Sequence, residues 1–175
     1  MQKNNSIVFL EVISTIFILI WGAILHFTYD FTNSNPIVGI FSAVNESTWE
    51  HLKLVYFPMV ISIIIGNLYT NGRVPNYICA KTKAIILAMS FVVVFFYTYT
   101  GIIGKNFAFL DIGSFFVAVI LGQLYAYKLI KKESRCNNTL AIAILIIIFI
   151  CFFIFTFNPP RIKIFMDPIT GKYGI

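Results

Sequence analysis

The stretch NPIVGIFSAVNESTWEHLKL, residues 35–54, sets the organisation of the chain because it places acids, bases and turn residues inside an otherwise apolar sequence. Both histidines of the protein lie in this segment or just before it. Its ionisable residues are Glu46, Glu50, His51 and Lys53, and His26 and Asp30 come shortly before them. We therefore expect any functional site to lie here, with the rest of the chain as its scaffold.

The composition indicates an integral membrane protein. Of the 175 residues, 59% are hydrophobic and 11% are charged, and the mean hydropathy is +0.86, which is too apolar for a soluble domain of this size. The net charge of +6 does not indicate nucleic acid, because the Lys and Arg residues stand in short loops beside long apolar runs. Membrane topology and anionic membrane lipids explain such loops.

The apolar runs predict an all-α membrane helix bundle with five transmembrane helices. A span needs about 20 apolar residues to cross a hydrocarbon core of about 30 Å. A short re-entrant or interfacial helix is expected between the first two spans, because Asn35 and Pro36 are typical of a helix start and the apolar run that follows is too short to cross. The predicted spans are about 7–27, 48–68, 84–103, 107–130 and 139–157, within a single membrane domain 1–175.

The last residues, 158–175, are expected to form an ordered tail that folds back on the protein. Asn158, Pro159 and Pro160 end the last span. Turn signals then follow at Asp167–Pro168 and Thr170–Gly171, beside apolar residues that a disordered tail would lack.

The distribution of basic residues predicts a cytoplasmic N-terminus and an external C-terminus. With five spans, Lys3, Arg73, Lys81, Lys83, Lys128, Lys131, Lys132 and Arg135 share the N-terminal side, and Lys53, Lys105, Arg161, Lys163 and Lys172 lie opposite. Cys79, Cys136 and Cys151 have no spacing typical of a metal or redox motif, and the first two face the reducing side. All three are expected to be reduced and unpaired.

A divalent-metal site is one interpretation of the polar segment. His26 and Asp30 are one helical turn apart on the first span. His51 lies on the next span and could face a neighbouring helix. His26, Asp30, Glu50 and His51 would then bind a metal such as zinc, with a water molecule at an open position as nucleophile. The spacing does not match the H-E-x-x-H signature of zinc proteases.

A metal-free interpretation uses overlapping residues. Glu46, Glu50 and Lys53 have the spacing of one helical face, and a carboxylate beside a histidine can form an acid–base pair. Glu46, Glu50 and His51 are the candidate catalytic residues, with Glu50 or His51 as the base. In a purely structural reading, Asn35, Ser47 and Glu50 instead cap helix ends.

Three motifs resemble an uncharacterised family of small multi-pass bacterial membrane proteins that is known only as a domain of unknown function. The motifs are HFTYD at residues 26–30, NPIVGIFSAVNESTWEH at residues 35–51, and NPP at 158–160 with DPITGKYGI at 167–175. The resemblance covers nearly the whole chain. It implies a location in the bacterial inner membrane and no particular activity, substrate or cofactor.

The sequence alone leaves three classes of function open. The first is a hydrolase or transferase that acts on a lipid-linked or membrane-embedded substrate at an outward-facing pocket. The second is a small proton- or ion-coupled transporter, with Glu11 as the inner end of a relay to His26. The third is an accessory membrane subunit that forms a homo-oligomer or binds a partner membrane protein through the small-residue stripe Ser114, Ala118, Gly122 and Ala126.

Overall fold

The computed structural model describes residues 2–132 and 136–175, with side chains from Ser6 onward. Arg135 and the side chain of Lys3, both counted above among the basic residues, lie outside the described part. The helices are α1 Gln2–Phe31, α2 Pro36–Gly39, α3 Thr48–Tyr69, α4 Tyr77–Ile103, α5 Ala108–Lys131 and α6 Asn138–Phe157, and a 3-10 turn follows at Lys163–Phe165. Five of these helices are long and apolar enough to cross a membrane, which confirms the predicted all-α bundle.

Helix α3 is the centre of the bundle. Its most apolar 18-residue window is 61% buried, against 17–28% for the other four long helices. Helices α1, α4 and α6 pack against α3, and α5 packs against α1 and α4. The outer helices present most of their apolar side chains outward, as lipid-facing helices do. The buried polar side chains of α3 must therefore find their hydrogen-bond partners in the protein around the helix.

The short helix α2 begins as the sequence predicts. The Asn35 side chain accepts a hydrogen bond from the Ile37 N–H at 2.9 Å, and Pro36 occupies the first helical position. Ser47 caps the N-terminus of helix α3, because its hydroxyl oxygen accepts from the Glu50 N–H. The Glu50 carboxylate does not complete a capping box; it accepts instead from the Val44 N–H at 3.1 Å.

Helix α4 begins at Tyr77 and not at residue 84 as predicted. The sequence places Lys81 in a polar loop, but its ammonium group is buried in the bundle, 2.6 Å from Glu11 Oε2 and 2.8 Å from Gln123 Oε1. Because a carboxylate and an amide satisfy this charge, the helix can continue through it. Hydropathy along the chain does not reveal such a pairing, since the three residues come from different helices.

The small-residue stripe of α5 packs inside the chain. Ser114, Ala118, Gly122 and Ala126 are all buried. A Cβ at Gly122 would lie 3.1 Å from the Ala84 carbonyl oxygen and 3.3 Å from Ala88 Cβ, so the stripe is where α5 meets α4. It is therefore not available as the surface for a second copy or a partner protein that the sequence suggested.

Two of the three cysteines are paired, contrary to the expectation of free thiols. Cys79 at the start of α4 and Cys136 before α6 form a disulfide, with their Cα atoms 6.0 Å apart. Asn138 holds the same two segments together, because its amide accepts from the Cys79 N–H and donates to the Pro75 carbonyl. The sequence separation of 57 positions between the cysteines hid this proximity in the sequence. Cys151 is free.

A buried lysine joins the segment before α3 to α3 itself and to α6. Lys53 is fully buried, and its ammonium donates to the Gly39 carbonyl at 2.7 Å, to Glu50 Oε2 at 2.5 Å and to Thr156 Oγ1 at 2.6 Å. The Ser42 carbonyl lies at 3.3 Å. The Glu50 carboxylate thus neutralises the ammonium, and all three of its N–H groups have an acceptor within the protein.

The C-terminal tail lies on the same face of the bundle. The Asn45 amide donates to the Gly174 carbonyl, and the Ile175 N–H donates to the Thr156 carbonyl. Trp49 packs on Phe165, with ring centroids 4.8 Å apart. The tail therefore covers the beginning of α3.

Replacing Lys53 is expected to destabilise the protein strongly. Lys53→Met would leave the Glu50 carboxylate buried without a cation, which costs about 3–5 kcal/mol. Thermal unfolding of the purified protein in detergent measures the loss. Lys105→Met removes an exposed lysine from the α4–α5 turn and should change the unfolding temperature little.

The double variant Lys53→Met with Glu50→Leu should recover much of the loss, because no unpaired charge remains. Equal unfolding temperatures for Lys53→Met and Lys105→Met would contradict the structural role assigned to this ion pair.

Candidate metal centre

Three residues from separate parts of the chain converge at one end of the bundle. His26 lies near the end of α1, Glu46 in the loop before α3, and His51 in the first turn of α3. His26 Nε2 is 3.8 Å from Glu46 Oε1, and His51 Nε2 is 3.5 Å from Glu46 Oε2. One ligand atom from each residue lies within 4.8 Å of the others. We call these three residues the His–Glu–His cluster.

These separations are close to those of a metal centre. Zinc–nitrogen and zinc–oxygen bonds of about 2.0–2.2 Å at tetrahedral angles put neighbouring ligand atoms roughly 3.3–3.5 Å apart. The two His–Glu distances of 3.5 and 3.8 Å differ from this by at most a few tenths of an ångström. The two distances run to different oxygens of Glu46, and the ligand atoms of all three residues lie within 4.8 Å of one another.

The backbone fixes which nitrogen of His51 could bind a metal. His51 Nδ1 lies 2.9 Å from the Ser47 carbonyl oxygen. A carbonyl only accepts, so Nδ1 carries the proton and the neutral ring presents its Nε2 lone pair to Glu46. A backbone carbonyl that orients the second ring nitrogen is a common feature of metal-binding histidines.

In the described part of the chain, the Glu46 carboxylate faces two imidazoles and no Lys or Arg side chain. In the neutral ring, His51 Nε2 is an acceptor that faces a carboxylate oxygen, which also only accepts. Protonating both histidines would place two imidazolium rings with centroids 5.2 Å apart, and these would repel each other. Either one protonated imidazole or one cation bound between the three residues would satisfy the carboxylate, and a bound cation would also use the Nε2 lone pairs of both rings.

The cluster borders a cavity of about 290 Å³ between α1, α3, α4 and α5. The cavity walls are mostly apolar, with side chains such as Leu54, Val92 and Phe96. Helix α1 closely approaches its neighbours at Gly22, where a Cβ would lie 2.5 Å from the Phe115 ring and 2.7 Å from the Leu54 carbonyl oxygen. The other polar lining residues are Thr48, Asn106, Asp111 and Ser114. A metal in the cluster would thus face an apolar space with few polar groups.

Asp111 is a functional candidate that the sequence interpretation missed. It lies in the first turn of α5 and lines the same cavity. The Tyr99 hydroxyl donates a hydrogen bond to Asp111 Oδ1 and accepts one from the Phe107 N–H at 3.2 Å. The available signal was an acid inside a predicted span, a position that usually faces protein or water and not lipid.

The structure brings together some of the predicted site residues and separates others. His26, Glu46 and His51 meet, whereas Asp30 is exposed and outside the cluster. Glu50 is 2% exposed and paired with Lys53, so it is neither a metal ligand nor a base in this arrangement. Glu46 does not share a helical face with Glu50, because α3 begins only at Thr48.

A comparison with curated proteins and a comparison with solved structures find no match. The profile of DUF6512, a family of unknown function, matches residues 1–175. The match confirms the resemblance to an uncharacterised family. The chain therefore belongs to DUF6512 over its whole length.

Proposed function

We propose that the His–Glu–His cluster binds a divalent metal ion and that the protein is a metal-dependent hydrolase or transferase acting on a membrane-embedded substrate. The observation that carries the proposal is the convergence of two imidazoles and a carboxylate at the wall of an apolar cavity, with no Lys or Arg partner among the described residues. Two histidines and one glutamate with an open fourth position form a known catalytic zinc set. Zinc is therefore the metal that fits best.

A metal bound here would supply a Lewis acid and an activated water molecule beside the cavity. The protein's own part is to orient the ligands and to hold the substrate. Ser47 orients the His51 ring through its carbonyl, and Glu46 offsets part of the positive charge. The apolar walls keep bulk water from the reacting bond, which strengthens electrostatic interactions at the site.

The cavity has access from the side of the bundle. Phe27 on α1 and Ile112 and Phe116 on α5 line it, and they are also 52%, 59% and 41% exposed on the outer surface of the protein. In a bundle of five membrane-capable helices, apolar residues exposed between two helices face lipid. These contacts support a substrate that enters between α1 and α5 from the bilayer.

The transporter alternative loses its main support. Glu11 suggested a proton relay toward His26, but its carboxylate pairs with the buried Lys81 ammonium at 2.6 Å. A carboxylate held in an ion pair is a poor proton carrier, because protonation would leave the lysine charge uncompensated. We therefore propose a structural role for Glu11 and retain the hydrolase or transferase as the leading function.

We also propose a location in the bacterial inner membrane, with the N-terminus in the cytoplasm. Lys53 and Lys81 are buried and paired, so neither counts among the basic residues of the loops. Each side of the membrane then has one basic residue fewer, and the N-terminal side still has the larger number. The Cys79–Cys136 disulfide lies on that side, so this orientation predicts that a reducing cytoplasm breaks the bond and leaves two free thiols in the cell. A disulfide that persists in intact cells would favour the reverse orientation.

Single-cysteine labelling tests the orientation. In a chain whose native cysteines are replaced by serine, Lys105→Cys places a thiol in the α4–α5 turn and Arg73→Cys places one in the α3–α4 loop. A membrane-impermeant maleimide should label Lys105→Cys in intact cells and Arg73→Cys only after permeabilisation. The opposite labelling pattern would place the cluster on the cytoplasmic side.

Metal analysis tests the cluster itself. Protein purified without chelator is expected to contain about one zinc ion per chain by elemental mass spectrometry. His51→Ala and Glu46→Gln should each reduce the bound zinc at least tenfold, on the order seen when a metal site is disrupted. Asp30→Asn removes a nearby exposed carboxylate that lies outside the cluster, and it should retain the metal.

Metal removal gives a second readout. A ligand present at about 1,000 times its dissociation constant stabilises the folded state by about 4 kcal/mol, so chelator should lower the unfolding temperature of the wild type and restored zinc should raise it. His51→Ala should not respond to either treatment. A metal-free wild type whose unfolding temperature ignores chelator and added zinc would exclude the metal centre.

A further inference from the structure

We infer that the cavity selects an acyl lipid that is uncharged or positively charged near the reacting carbonyl, and that it excludes lipid phosphates. The inference rests on the proposed function and specifies its substrate class. It is carried by the charges at the cavity wall. Glu46 and Asp111 are the acids among the lining residues, and no Lys or Arg lines the cavity within the described part of the chain.

The charge at the wall disfavours a phosphate. With a divalent cation in the cluster, the two carboxylates Glu46 and Asp111 already offset its formal charge. Proteins usually bind phosphate through Arg or Lys side chains or through helix N-termini. Lys53 cannot serve, because its ammonium is fully used inside the protein. Lys105 is exposed and lies over the Phe107 ring at 5.0 Å.

The N-terminus of α5 at the cavity is also neutralised. Helix α5 has Asp111 in its first turn. A carboxylate in the first turn offsets the positive end of the helix dipole and reduces its attraction for a further anion. A phosphate in this cavity would therefore meet Asp111 without a compensating cation outside the metal centre.

Asp111 suits a hydrogen-bond donor of the substrate. An ionised carboxylate only accepts, and the Tyr99 hydroxyl occupies Oδ1. The second oxygen is then suited to a hydroxyl, an amide N–H or an ammonium group of the lipid head. The apolar wall formed by residues such as Leu54 and Phe96 is suited to the acyl chain. The substrate class is an ester or amide of a fatty acid with an alcohol or amine head group.

The reaction for this class is hydrolysis of the acyl bond. The oxygen of water bonds to the acyl carbon, and the bond from that carbon to the head-group oxygen or nitrogen breaks. One proton of the water passes to the leaving alcohol or amine. The products are a fatty acid and the free head group, with no oxidant, reductant or second substrate.

A matched pair of lipids tests the selection. Monooleoylglycerol and oleoyl lysophosphatidate carry the same acyl chain and ester and differ by the phosphate. The full-length, zinc-loaded protein in nanodiscs is incubated with each lipid, and binding by thermal shift and oleate release by mass spectrometry are measured. Monooleoylglycerol is expected to bind at least about tenfold more tightly, which corresponds to about 1.4 kcal/mol, and to be the lipid that releases oleate.

Three variants separate the charge of Asp111 from its structural contacts. Asp111→Asn should reduce the preference for monooleoylglycerol at least threefold, because the repulsion of phosphate is gone. Tyr99→Phe removes the hydrogen bond to Asp111 Oδ1 but keeps the carboxylate charge, so the preference should remain even if binding weakens. Asp30→Asn makes the same charge change outside the cavity and should leave the preference unchanged.

The outcomes distinguish this inference from the metal proposal. Zinc at one per chain with equal or tighter binding of lysophosphatidate would overturn the selection and leave the metal centre standing. Zinc at one per chain with binding of neither lipid would also overturn the selection. A zinc-free protein that binds neither lipid would overturn both proposals.

Discussion

The buried ammonium of Lys53 is the constraint on which the end of the bundle around the His–Glu–His cluster depends. A charge without solvent must be paired and fully hydrogen-bonded, because an unpaired buried charge costs several kcal/mol. Here the acceptors come from three directions: the Gly39 and Ser42 carbonyls of the segment after α1, the Glu50 carboxylate of α3 and the Thr156 hydroxyl of α6. One lysine thus holds an irregular segment against two helices and satisfies two of its buried carbonyl groups. The segment is irregular in secondary structure and nevertheless fixed in position.

That fixed segment is what builds the candidate metal centre. Ser42, whose carbonyl faces the lysine, also accepts from the Tyr29 N–H and donates its hydroxyl to the Leu25 carbonyl at the end of α1. The segment is therefore attached to α1 on both sides of His26. A few residues later the chain passes Glu46 and enters α3, so the carboxylate lies between the two imidazoles. The ion pair at Lys53 and the cluster are parts of one arrangement, in which the first supports the second without taking part in its chemistry.

The sequence was sufficient for features that depend on local pattern. Apolar runs of spanning length predicted the five long helices, and Asn35 with Pro36 predicted the short one. The sequence also identified the segment that contains the site, but it did not decide which acid belongs to it. Glu46 and Glu50 look equivalent in the chain, and only the position of Lys53 in three dimensions makes one structural and leaves the other free. The Cys79–Cys136 pairing was hidden for the same reason, because it depends on contacts between distant helices.

The distribution of charge inside the bundle separates structural acids from functional ones. Two lysines are fully buried in the described part of the chain, Lys53 and Lys81, and each is paired with a glutamate, Glu50 at one end and Glu11 at the other. These pairs are internally neutral and do not line the cavity beside the cluster. Glu46 differs in both respects, because its neighbours are two imidazoles and it borders an open apolar space. Glu46 is the glutamate without a lysine partner in the described part of the chain, and its position beside the cavity is why we propose it as a metal ligand.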